Sequence, residues 1–67
     1  MTVDPHKFTV ALARSGLNIQ GVAAYACVHR QTVRNVAQGK EARTDTVGRI
    51  AKALGVDVET IMASGGG

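Results

Sequence analysis

Apolar side chains recur along the chain at spacings of three and four residues in five short runs, each bounded by polar residues or glycine. Asp4-Pro5 marks the first helix start, because Asp accepts from orphan first-turn amides and Pro at the first helical position gives up no needed N–H. Phe8, Ala11, Leu12 and Ser15 then share one face, and Gly16 supplies a left-handed stop. Asn18 is placed to cap a second, shorter helix in which Ile19, Val22, Ala23 and Ala26 face inward. The alanines let a neighbouring helix approach closely, and Gly21 costs up to ~1 kcal/mol relative to Ala. After Ala26 the pattern breaks for three residues and resumes in a new phase, which predicts a tight turn. His29 stands at the next N-cap, a position His fills poorly, while Val28 and Val33 are spaced for a hydrophobic staple.

In the third helix Val33, Val36 and Ala37 turn inward, whereas Arg30, Gln31, Arg34, Asn35 and Gln38 turn outward, every one a hydrogen-bond donor. Gly39 ends it. The loop Lys40-Glu41-Ala42-Arg43 leads to Thr44, the expected N-cap of a fourth helix with Val47, Ile50, Ala51 and Leu54 on its inner stripe, Gly48 weakening it and Gly55 closing it. Asp57 is expected to cap a last short helix containing Val58, Ile61 and Met62. Ser64 and three glycines read as a flexible tail, so the expected division is a domain over 1–63 and a tail over 64–67. No run alternates with period two between turn residues. The pattern therefore predicts an all-α fold, a five-helix bundle.

Composition narrows the possibilities. Sixty-seven residues hold one small domain. Ala (10) and Val (9) supply most of the 45 % apolar fraction, so the core is expected to be built of small side chains and to leave little room for an enveloping cleft. One cysteine, Cys27, makes no intramolecular disulfide, which suits a reducing compartment. The sequence lacks a membrane span and a secretory leader pattern, and a soluble cytoplasmic protein is the expectation. Cys27 and His29 are near neighbours, yet with one Cys and two His in the chain they have no third partner for a zinc site or a nucleophile relay. No catalytic group, no metal, no cofactor and no small-molecule substrate are expected.

Charge adds a direction. Eight Lys+Arg against five Asp+Glu leave +3, and the distribution is uneven. Residues 30–52 carry Arg30, Arg34, Lys40, Arg43, Arg49 and Lys52 against Glu41 and Asp45, a net +4, whereas the last fifteen residues carry only Asp57 and Glu59. A basic middle and an acidic end fit a surface that meets a polyanion on one side. Arg14, Arg49 and Lys52 read as solvated-face residues, His6 as part of the first helical turn, and Tyr25 as an outward residue of the second helix.

Two short helices joined by a tight turn, with small residues where they cross and a donor-rich face on the second, meet the physical requirements of a helix-turn-helix. The second helix fits a major groove ~12 Å wide, where Arg pairs bidentately with guanine and Gln or Asn with adenine. Arg30, Gln31, Arg34 and Asn35 supply that chemistry on one side of a helix.

The runs Leu17-Asn18-Ile19-Gln20-Gly21-Val22-Ala23, Val28-His29-Arg30-Gln31-Thr32-Val33, Gly39-Lys40 and Ala51-Lys52-Ala53-Leu54-Gly55-Val56-Asp57 resemble, in order and spacing, the phage-repressor and Cro-like helix-turn-helix group, the XRE family. The resemblance extends from about Phe8 to Met62. It implies a lambda-repressor-like five-helix domain that places helix three in the major groove of double-stranded DNA, with Arg30, Gln31 and Asn35 at the base-reading places and Arg34, on the same face, a further candidate. It implies phosphate contacts from Asn18 at the start of helix two and from Lys40 and Arg43 on the loop; Gln20, in place of the contact that Ile19 cannot make, and His29 and Thr32 at the start of helix three are further phosphate candidates. It further implies a homodimer through Val58, Ile61 and Met62 on a palindromic operator, and a transcriptional regulator, a repressor. Three positions depart from the family pattern: Ile19 stands where Gln is usual, Cys27 where the turn usually has Gly, and Ala37 where an acidic residue is common. The competing reading is a protein-interaction module, antitoxin-like or adaptor-like, gripping a partner protein through the same helices or the Val58/Ile61/Met62 patch.

Overall fold

The computed structural model describes residues 1–63; the expected tail at 64–67 lies outside the described residues. Among those residues the chain forms five helices: α1 (Pro5–Ser15), α2 (Ile19–Ala26), α3 (Arg30–Ala37), α4 (Thr44–Leu54) and α5 (Val58–Ile61). This is the all-α five-helix bundle that the pattern predicts.

The helix ends show why the boundaries fall where they do. Asp4 caps α1, its carboxylate accepting from His6 N (2.8 Å) and Lys7 N (3.1 Å). These amide donors, led by that of Lys7, hold the Asp4 carboxyl below its ordinary value of 3.8. Asn18 Oδ1 accepts from Gly21 N at 2.7 Å. A Cβ on residue 21 would press against that same oxygen at 3.3 Å, so Gly21, unfavourable by propensity, makes room for the cap.

At the C-terminal ends, α3 and α4 close in paired 6→1 and 5→2 bonds around a left-handed glycine. For α4 these are Val56 N to Ala51 O (3.0 Å) and Gly55 N to Lys52 O (3.1 Å). α2 closes the same way, Val28 N to Ala23 O (3.0 Å) and Cys27 N to Ala24 O (3.3 Å), but with a cysteine at the left-handed position.

Two expected boundaries are corrected. The N-cap of α4 is Arg43, not Thr44, which already belongs to the helix; no side chain caps this end, and Arg43 Nε instead pairs with Asp45 Oδ1 at 3.3 Å. Met62 is not helical: it turns extended and forms an antiparallel bridge with Val3.

The core consists of Val3, Phe8, Ala11, Val22, Ala23, Ala26, Val33, Val36, Val47, Ile50, Ala51, Leu54 and Ile61. Four of these are alanines, two of them on α2, and α2 packs against both α3 and α4. Short side chains at that crossing let the helix pair sit close. No polar side chain is buried among the described residues. Fixed only by apolar packing and end caps, α2 and α3 form a firm base for whatever α3 carries on its outer side.

Val3 enters the core from outside any helix. Residues 1–4 run extended between two distant parts of the chain: Ala42 N donates to Met1 O (2.9 Å), Ala63 N to Thr2 O (3.2 Å) and Asp4 N to Ile61 O (2.8 Å). The leading segment thereby ties the α3–α4 loop to the stretch after α5.

Candidate nucleic-acid interface

The turn between α2 and α3 is three residues long, Cys27-Val28-His29. Val28 is half-buried against the core and Val33 is fully buried, so both staple residues pack inward and set the entry of α3. His29 caps α3 through Nδ1, which accepts from Gln31 N at 3.2 Å. The ring therefore satisfies one first-turn amide despite its low rank as a cap.

Val33 and Val36 of α3 lie in the core, and the opposite side faces solvent. Arg30, Gln31 and Arg34 are exposed, and Thr32 and Asn35 half-buried. Gln31 Nε2 donates to Asn35 Oδ1 at 3.1 Å, a bond between side chains one turn apart. That bond engages the Asn35 oxygen and leaves the Gln31 oxygen and the Asn35 amide hydrogens without a protein partner among the described residues, as a joint acceptor and donor. Neither Arg30 nor Arg34 is in an ion pair among the described residues, so both guanidinium forks are uncommitted.

Around α3, Asn18, Gln20, His29, Lys40 and Arg43 are all exposed. The Asn18 oxygen is spent on the cap and its amide hydrogens remain for an outside acceptor. Ile19, by contrast, is half-buried against the core. Lys40 and Arg43 flank Glu41 and Ala42 on the loop held by the leading segment, and Glu41 Oε1 also receives the Met1 ammonium. The Arg43–Asp45 pair is exposed on both sides and so worth no more than about 1 kcal/mol, little obstacle to a competing anion.

Elsewhere the expectations divide. Tyr25 is 75 % exposed and lines an open groove with Cys27 of the turn and Arg49 and Lys52 of α4. Of the three apolar residues expected at a dimer contact, Ile61 is 0 % exposed in the chain's own core, which corrects its assignment: it has no surface to offer a second copy. Val58 and Met62 remain half-buried. Sequence reasoning missed Val3 and its tie to the α3–α4 loop, because a lone Val between Thr2 and Asp4 has no periodicity to betray it. No group of three or more His, Cys, Asp or Glu gathers among the described residues, and no helix there is long and apolar enough to cross a membrane.

A short helix laid across a second one, a tight turn, and a donor-rich outer face define a helix-turn-helix unit. The family model described as Helix-turn-helix matches residues 11–61, and the chain belongs to that family, the XRE-type helix-turn-helix proteins. It is accordingly a DNA-binding helix-turn-helix regulator. Comparisons with curated proteins and with solved structures gave no match.

Proposed function

We propose that the protein is a sequence-specific transcriptional repressor that reads duplex DNA with α3 in the major groove. The observation carrying this reading is the outer face of α3, where Arg30, Gln31 and Arg34 stand exposed and, among the described residues, unpaired by any carboxylate and uncovered by any other helix. Arg30 and Arg34 are the guanine readers in this scheme. The linked Gln31–Asn35 amides present the acceptor and donor that match adenine N6 and N7. Phosphate contacts come from the Asn18 amide, Gln20, His29, Thr32, Lys40 and Arg43, which hold the domain in register without choosing sequence. Two copies meeting through Val58 and Met62 place two such helices on a palindromic operator about one DNA turn apart. The domain extends over residues 1–63 and works in the cytoplasm, where the lone thiol stays reduced.

Selection of bound oligonucleotides from a random duplex pool tests the proposal. A palindromic consensus, bound with an affinity that falls steeply with salt, is the expected result. Recovery of no consensus, or duplex affinity indifferent to salt, overturns it in favour of a protein-gripping module.

A further inference from the structure

We infer that the leading segment, residues 1–4, is a positioning element for the DNA-backbone grip. The inference rests on the proposed phosphate role of Lys40 and Arg43. Those two residues sit on a loop with few fastenings of its own. At its start Lys40 N donates to Asn35 O (3.1 Å), and at its end Val47 N donates to Arg43 O (3.0 Å). Between them the loop is held from outside, by Ala42 N donating to Met1 O (2.9 Å). The segment making that bond is anchored in turn: Val3 is 1 % exposed within the core and bridges Met62, Asp4 N donates to Ile61 O (2.8 Å), and Ala63 N donates to Thr2 O (3.2 Å). Lys7 Nζ reaches Met62 O at 3.4 Å from the first turn of α1.

The contact is close at the other end of the loop as well. A Cβ on Gly39, whose φ is +84°, would meet Pro5 Cγ at 3.4 Å and Val3 O at 3.5 Å, so the end of α3 abuts the same segment. The two cations are thus set by a backbone splint that runs to the far end of the chain. Cations on a preset loop meet phosphates without the ordering cost that a free loop pays on binding. Because the splint ends on Met62 and Ala63, beside the surface proposed for a second copy, seating that copy also steadies the loop.

The test compares salt slopes of duplex binding for the full chain and four variants, each at a temperature where circular dichroism shows it folded. Lys40→Ala with Arg43→Ala removes the contacts themselves and lowers the slope by roughly 1.8, at about 0.9 per phosphate. Val3→Ala loosens the splint, while Ile50→Val trims the core inside α4 as a control for stability alone. Val3→Ala is expected to lose at least half of the same slope with its ranking of sequences unchanged, and to lose little more when Lys40→Ala and Arg43→Ala are added. Ile50→Val keeps the full slope. Should the double alanine variant leave the slope intact, the phosphate reading fails and the splint inference with it. Should it lower the slope while Val3→Ala behaves like Ile50→Val, the inference alone is overturned. If Val3→Ala does not fold, amide hydrogen exchange of the unaltered protein decides. Slowing of exchange at Ala42 and Ala63 on adding duplex supports the inference, and unchanged exchange at both refutes it.

Discussion

Replacing Cys27 with glycine is expected to make the protein more stable. Cys27 closes α2 at φ 58°, ψ 42°, the left-handed region that α1, α3 and α4 each reach with a glycine. A residue with a Cβ pays about 1–2 kcal/mol there for crowding against the following carbonyl oxygen. Glycine removes that crowding but gives the unfolded chain more freedom, which returns about 0.4–1 kcal/mol. The remainder is a gain of roughly 0.5–1 kcal/mol. For a chain of this size it raises the thermal midpoint by about 2–8 °C. The thiol is exposed, so its loss empties no cavity. Cys27→Ala, which keeps the Cβ, should stay within about 0.5 kcal/mol of the parent. Gly55→Ala is the mirror experiment: φ is +74° and the new Cβ would meet nothing within 4 Å, so strain acts alone and stability should fall by the same roughly 0.5–1 kcal/mol. Urea and thermal unfolding followed by circular dichroism, in the presence of a reductant, measure all three. A Cys27→Gly protein that melts at or below Cys27→Ala would refute the assignment of strain to the turn.

Further expectations concern DNA and acid. Arg30→Ala should cost ~1–3 kcal/mol in binding and relax preference at one base pair, whereas Lys40→Ala should weaken all duplexes alike and lower the salt slope by about one; equal losses on specific and random duplexes for both would contradict their separate roles. Asp4→Ala should lower unfolding free energy by ~0.5–2 kcal/mol through loss of the α1 cap. Since the native Asp4 carboxyl lies below its ordinary 3.8, the unfolded chain takes up the proton first as pH falls. The stability owed to its charge is therefore complete above that value and fades as pH drops through the lower, native one. An acid titration of stability in Asp4→Asn should lack that part of the decline, and identical acid profiles would rule it out. Gly21→Ala should fail to stabilise, despite Ala being the better helix former, because its Cβ crowds the Asn18 cap; a higher melting point would count against that contact.

The helical spacing of apolar residues made the five elements legible, and the inner stripe of α4, Val47, Ile50, Ala51 and Leu54, is buried residue for residue. α1 and α2 start at their expected caps, because Asp4-Pro5 and Asn18 act through bonds within three residues of themselves. Thr44 misled because side-chain preference ranks Thr well above Arg as a cap, whereas the extended cap backbone falls one residue earlier, at Arg43, with no side-chain bond to mark it. What stayed hidden depends on contacts across the whole chain. The bridge of Val3 to Met62 joins residues at opposite ends, and Ile61 looks like surplus apolar surface until Val3 and α1 close over that end of the core. The outer face of α3 could be read from spacing alone, but the bond from Gln31 to Asn35 depends on rotamers that spacing does not set.

That bond has a consequence for how operator preference changes over time. In the proposed base-reading role, with the Asn35 oxygen engaged by its neighbour, neither amide is an independent letter of the recognition code; the pair acts as one two-residue letter. A substitution at either site releases the other to rotate, so a single change blurs the preference at that base instead of exchanging it for another. New operators should accordingly be won by replacements at 31 and 35 together, and a library that varies both at once should contain sharp binders that no pair of one-site libraries holds.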